Sequence, residues 1–321
     1  MTHTQPTLTD RFAGCLLGLA IGDAVGAQYE GQSADFISRR FGSVKKLLEN
    51  IPPNGLYYTD DTQMAEQVMR ALLDEREDLD RCMTGMAKRF VEWSRHPQGG
   101  HRAPGNACMT GCRALESGAH WSQAGGQRAG GCGSVMRAYP FGIIFMNDLA
   151  TCERFAVAHS KLTHRDPIAL AASAAMAIGI ALALRGRSVR RITSEMVAAA
   201  CRYSPRTAEM MCLALDDARR GIGPEETLDR LRAWAAHEAI AAAVYVFARH
   251  GNDARSAILE GANTPGDSDS IATLAGALVG ARVGVEGLPA EWVREVERTE
   301  ELTELADRAA EKIVPRTKSA M

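Results

Sequence analysis

Asp267-Ser268-Asp269-Ser270 packs two carboxylates and two hydroxyls into four residues, after Gly266 and ahead of an apolar run over 271–285. A matching group stands far upstream. Thr59-Asp60-Asp61-Thr62 precedes a helical pattern in which Met64, Val68, Ala71 and Leu72 share one face. Either group alone reads as a helix N-cap, because Asp, Ser and Thr oxygens accept from the free N–H groups there. Each group carries one carboxylate more than a cap uses. If the fold brings both helix starts together, four like charges converge, which is costly alone and natural around cations. Hard oxygen donors with no His or Cys beside them favour magnesium or manganese over zinc. More than two carboxylates point to two ions. The spaced ligand loop of an EF-hand is absent.

Other stretches carry chemistry of a different kind. Residues 125–134 (GGQRAGGCGS) form a glycine-rich segment ahead of Val135-Met136-Arg137. Such a loop exposes backbone N–H groups, and a following helix start adds partial positive charge; both suit a pyrophosphate. No Gly-Lys-Ser/Thr follows and no strand precedes, so it is neither a Walker loop nor a dinucleotide fingerprint. Read bare, it is a flexible loop. Leu162-Thr163-His164-Arg165-Asp166-Pro167 is a loop ending at a helix start, where a lone His is ordinarily solvated. Gly22-Asp23-Ala24-Val25-Gly26 is followed by Glu30. Asp23 reads as a buried, hydrogen-bonded structural acid.

In chain order these motifs resemble those of the ADP-ribosylglycohydrolase family, over about residues 10–285. The resemblance implies that Thr59, Asp60, Asp61, Asp267, Asp269 and Ser270 hold two divalent cations, magnesium or manganese. It implies that Asp61 or Asp269 orients or deprotonates a water, with Glu30 as a second candidate near the substrate. Gly130, Gly131, Gly133 and Ser134 would lie on the diphosphate of ADP-ribose, and His164 on the ribose-phosphate. Ala103-Pro104-Gly105-Asn106 resembles a substrate-lining loop, which makes Asn106 a substrate contact. Two positions depart from the pattern. Cys132 stands where Asn is common, and Ala103 stands where one branch has an Asp that acts on water, so any base must come from elsewhere.

The implied activity is hydrolysis of ADP-ribose from a protein side chain. Ser in place of Thr within Gly266-Asp267-Ser268-Asp269-Ser270 favours the arginine-directed branch. The implied partners are an ADP-ribosylated protein, ADP-ribose and an opposing ADP-ribosyltransferase. Three alternatives stay open: a non-catalytic binder of ADP-ribose or a partner, a hydrolase of serine-linked or polymeric ADP-ribose, and a metal-dependent hydrolase of another nucleotide.

These residues need elements to position them. A helix over 10–27 carries Phe12, Leu16, Leu19 and Ala20, with Gly14, Gly18, Gly22 and Gly26 at every fourth place. A glycine stripe weakens a helix, so it marks close approach of another helix. Gly276, Gly280 and Gly284 repeat the spacing after the second acid pair. Further helices are expected over 59–75, 79–94, 187–203, 205–220, 224–234 and 238–250, and one or two over 288–314. Residues 31–58 read as irregular, with a turn at Pro52-Pro53-Asn54-Gly55. Residues 252–261 lead into the second acidic motif, and His237 and His250 read as exposed or capping. Strand signals are nearly absent. The expectation is a compact all-α single domain over 10–315, with a polar, disordered arm over 1–9.

Composition excludes several classes. The chain has 321 residues and a net charge of -2, with no basic tract, so nucleic-acid binding lacks electrostatic support. Its eight cysteines include no C-x-x-C pair. Cys108 and Cys112 share a helix face and read as packing. Reduced thiols and the absence of a leader pattern point to the cytoplasm. The uncharged run Pro167–Leu184 touches the length of a membrane span. It is mostly Ala, with Ser173 and Gly179 inside, and reads as a helix buried on all sides of a bundle.

Overall fold

Residues 5–33, 36, 39 and 55–313 are described by the computed structural model. Sixteen α-helices fall among them, with no strand. They are α1 (Leu8–Gly26), α2 (Asp60–Asp74), α3 (Leu79–Arg95), α4 (Asn106–Glu116), α5 (Trp121–Ala124), α6 (Tyr139–Ile144), α7 (Leu149–Ser160) and α8 (Pro167–Leu184). The second half supplies α9 (Val189–Cys201), α10 (Pro205–Arg220), α11 (Pro224–Arg230), α12 (Ala236–His250), α13 (Ala254–Ala262), α14 (Ser268–Val283), α15 (Ala290–Glu295) and α16 (Thr299–Ile313). A 3-10 turn at Cys132–Ser134 stands between α5 and α6. The chain is all-α and forms one domain.

Three helices make the centre. Sixteen residues of α1, from Arg11 to Gly26, are buried without a polar face. Helix α8 is buried along all but its first turn, so the membrane-length run of the sequence is a core helix. Helix α14 is buried from Ser268 to Ala281. Helices α6 and α12 are buried almost throughout as well, while others cover the centre with one apolar face, as Cys82, Met83, Met86, Phe90 and Trp93 do on α3.

The largest interface joins α1 and α14, antiparallel, and glycine sets its depth. A Cβ on Gly18 would come within 2.4 Å of Gly276 O, and one on Gly22 within 2.1 Å of Ala272 O. Conversely, a Cβ on Gly280 would stand 2.0 Å from Gly14 O. The two glycine stripes face each other, backbone against backbone. Gly26 meets the first turn of α14 at Asp269.

Several expectations shift. Helix α1 starts at Leu8, capped by Thr7 Oγ1, which accepts from Asp10 N, so residues 5–9 belong to the folded chain. Residues 1–4 lie outside the described residues, as does most of the irregular stretch expected over 31–58 with its Pro-Pro turn. The lead-in at 252–261 is largely α13, capped by Asp253. The helix expected over 224–234 ends at Arg230. His237 is buried rather than exposed, and neither ring nitrogen has a partner. Cys108 and Cys112 are buried, and all eight cysteines are free.

Candidate functional site

Asp23, in the last turns of α1, fixes where α2 begins. Its carboxylate accepts from Thr59 N (3.0 Å), Thr59 Oγ1 (2.9 Å), Thr62 N (3.0 Å) and Thr62 Oγ1 (2.6 Å). Burial lifts its pKa to about 6, while these bonds pull it down. The structural reading of Asp23 holds. Thr59 is the N-cap of α2, accepting from Asp61 N at 3.4 Å. Its hydroxyl is thus spent on Asp23 and the cap. Asp60 and Asp61 are left with no capping duty.

The start of α14 is built alike. Gly266 passes so close to Arg232 O that a Cβ would stand 2.0 Å from it, and Ser268 Oγ donates to Gly26 O at 2.9 Å. Asp267 occupies the N-cap position yet makes no side-chain capping bond. Asp269 Oδ1 accepts from Ser270 N at 2.9 Å. The two acid groups meet directly: Ser270 Oγ donates to Asp61 Oδ2 at 3.0 Å.

Asp60, Asp61, Asp267 and Asp269 are all at most 5 % exposed and line one cleft with half-buried Glu30 and with Ser270. Burial drives every one of these carboxyls upward. Asp61 is raised further by Asp269 and Asp23, and Asp269 by Asp267 and Glu30. The Arg137 guanidinium draws Asp60 back down. Glu30 is raised by burial, then by Asp267 and Asp23. A set of buried acids that repel one another takes up either protons or cations, and its donor chemistry suits hard divalent ions. Among the described residues no three His, Cys, Asp or Glu side chains converge tightly enough to grip an ion alone. Carboxylates used in ones and twos, with hydroxyl and water oxygens completing the shell, are how magnesium is ordinarily held. On this ground the residues fit a divalent cation.

The facing wall comes from the glycine segment and two loops. Gly131, Cys132 and Gly133 line the cleft; Gly130 and Ser134 do not. Gly130 packs against Ile168 and Asp166, and its carbonyl accepts from Ala236 N at 2.8 Å. Ser134 is turned into the interior, where its Oγ accepts from Ser160 and Ser173. Cys132 donates its thiol to Asp267 Oδ2 at 2.7 Å. His164 is 2 % exposed and reaches the cleft from the loop before α8. Asn106 starts α4 on the same wall, beside Ala103, whose φ of 53° is a left-handed conformation unusual for Ala. Thr59 alone of the expected metal residues stays behind the lining.

Among the cleft residues that escape a reading of the sequence are Trp234 and Met136. Trp234 lines the rim and is 49 % exposed. Met136 floors the glycine turn. A larger groove, about 510 Å³ against about 200 Å³ for the cleft, runs between α3 and α4. Its charges are of the ordinary surface kind, Arg95 pairing with Glu116, and no buried acids gather there.

Comparison with known proteins identifies the family. A sequence model of the ADP-ribosylglycohydrolase family matches residues 4–318. The chain is 30 % identical to the ADP-ribosylarginine hydrolase Tri1 of Pseudomonas putida over 313 residues, covering 95 % of this chain and 79 % of that protein. It is 28 % identical to the ADP-ribosylhydrolase ARH3 of Mus musculus, covering 92 % of this chain and 90 % of that one. A solved structure described as an ADP-ribosylglycohydrolase-related protein complex superposes with a TM-score of 0.71 at 28 % identity, over 95 % of this chain and 98 % of its own. With the match spanning nearly all of its length, this chain belongs to the ADP-ribosylglycohydrolase family.

Proposed function

We propose that this chain cleaves the N-glycosidic bond between ADP-ribose and a protein arginine, and so reverses mono-ADP-ribosylation. The observation that carries the reading is the meeting of two acid-bearing helix starts, joined through Ser270 and Asp61, opposite a glycine turn. The similarity to an ADP-ribosylarginine hydrolase and the Ser in the second acidic motif support arginine as the linkage.

When bound, two magnesium or manganese ions held by Asp60, Asp61, Asp267, Asp269 and Ser270 would engage the ribose hydroxyls and acidify a water. Thr59 serves as the cap that aims Asp60 and Asp61. The water oxygen bonds to ribose C1 as the C1–N bond breaks, and the bonding pair goes to the guanidine nitrogen. Asp61 or Asp269 orients the water. Glu30, raised in pKa at the mouth of the cleft, takes a proton from that water and returns one to the leaving guanidine. Gly131 and Gly133 flank the diphosphate, with Asn106 and His164 beside it.

The test is release of free ADP-ribose from arginine-linked and serine-linked substrates, with and without metal. Metal-dependent release from the arginine conjugate is expected. Release from the serine conjugate alone would move the assignment to that linkage. No release from either, with ADP-ribose still bound, would make the chain a binder.

A further inference from the structure

Arg137 is wholly buried and its hydrogen bonds reach no carboxylate. A buried guanidinium that hydrogen-bonds no anion is expensive, and Asp60 acts on it through space alone, so its contacts state its purpose. Nη1 donates to Gly133 O at 2.6 Å and touches Cys108 Sγ and Met64 Sδ, each at 3.3 Å. Nη2 donates to Thr163 Oγ1 at 2.6 Å. The guanidinium carbon stands 4.7 Å from the centre of the Phe90 ring. One side chain therefore ties the glycine turn to the loop that carries His164.

The second tie sets a tautomer. Thr163 Oγ1 lies 2.7 Å from His164 Nδ1. Arginine is always charged, so the hydroxyl oxygen accepts from Nη2 and keeps one proton of its own. That proton has one acceptor in reach, the ring nitrogen. His164 Nδ1 is then the acceptor, and its N–H lies on Nε2, on the ring edge beside the glycine turn, 3.6 Å from where a Cβ on Gly131 would stand and 3.3 Å from one on Gly133. Burial, then the Arg137 charge, lowers the His164 pKa to about 3, which keeps the ring neutral.

Resting on the reading that this cleft takes ADP-ribose, we propose that Arg137 is the positioning residue of the diphosphate wall: it pins Gly133 and, through Thr163, holds His164 as an Nε2–H donor. It touches no substrate itself. Its work is to present a fixed neutral donor and a fixed turn to an anionic ligand.

Two readouts test it. A two-bond proton–nitrogen spectrum of the histidine rings, with His164→Gln to assign the signal, should show a bare Nδ1 and a protonated Nε2 in the ligand-free protein. Thr163→Val keeps size and removes the hydroxyl; it should mix the tautomers and weaken ADP-ribose binding by at least about tenfold in calorimetry. Arg137→Met should weaken binding further, with the metal-induced rise in melting temperature retained. A protonated Nδ1 in wild type, or wild-type affinity in Thr163→Val, overturns the proposal. If Arg137→Met does not fold, Thr163→Val carries the decision, since it leaves the buried charge in place. If wild type binds no ADP-ribose, the functional reading fails, while the tautomer still decides the role of Arg137.

Discussion

Asp23 and Asp61 sit in one buried network and do different work, and their bonds show why. A carboxylate has about four lone-pair sites. Asp23 spends its sites on four donors from Thr59 and Thr62. Asp61 accepts from Ser270 Oγ and keeps capacity for a cation. Replacing Asp61 or Asp269 by Asn preserves size and one oxygen but removes the charge a cation needs. Each change should lower ADP-ribose release from an arginine conjugate by about two orders of magnitude or more, roughly 2.7 kcal/mol of transition-state stabilisation. Circular dichroism should show the helices intact. Near-normal turnover in both variants would remove these acids from the reaction.

At this scale the sequence is informative where residue type carries the meaning. Paired acids beyond the need of a cap are visible in the chain, and they do converge. Direction is not visible. The glycine motif places Ser134 on the diphosphate by resemblance, yet the turn that brings Gly133 to the cleft rotates the next side chain inward, onto Ser160 and Ser173. Arg137 is hidden for another reason: charge patterning sends Arg to water, and only the fold reveals a guanidinium with 0 % exposure. Trp234 reads as the end of a helix over 224–234, but the helix stops at Arg230 and leaves it on the loop at the rim.

Among the elements, α1 acts as the ruler of the site. Its glycine stripe fixes the depth of α14, and Asp23 in its last turns hangs α2 beside that contact. Both stripes were readable from spacing; that they face each other was not, because pairing of distant helices leaves no mark in either helix alone. Helices α8 and α10 were readable end to end, since Pro at the first position and an Asp or Ser cap before it announce their starts. Helix α7 was missed: Cys152, Phe155, Ala156 and His159 share one buried face, but Val157, Ala158 and Ser160 are buried too, and two of the face positions are a Cys and a His, which blurs the apolar period. The stripe makes a signed prediction. On propensity alone, Gly→Ala inside a helix stabilises by about 1 kcal/mol. Gly85 on α3, with open space around it, should follow that rule. Gly22→Ala should instead destabilise by about 1–3 kcal/mol, because the new methyl meets the Ala272 backbone at 2.1 Å. Urea unfolding of both variants checks the pair, and a stabilised Gly22→Ala would mean that the helices are free to separate.

For the molecule as a whole, the acids tie stability to pH and to metal together. A carboxyl whose pKa is higher folded than unfolded binds more protons in the folded state. Without cations its contribution is therefore present at low pH and lost as pH rises through the folded value. Asp60, Asp61 and Asp269 are raised well above the usual carboxylate range, and Asp23 to about 6. His164 works the other way: lowered to about 3, it costs stability as pH falls below its ordinary 6.5. The raw melting temperature mixes these opposed slopes, so the informative quantity is the rise that magnesium or manganese produces at each pH. Protons and cations compete for the same oxygens. At pH 8 a saturating ion, near 1,000 times its Kd, should add roughly 4 kcal/mol, on the order of 5 °C for a chain of this size. At pH 5 the rise should shrink to a small part of that, while Asp269→Asn should lose most of it at both. An equal rise at the two pH values would place the ion away from these carboxylates. No rise at either would leave protons as the only charge balance at the meeting of α2 and α14.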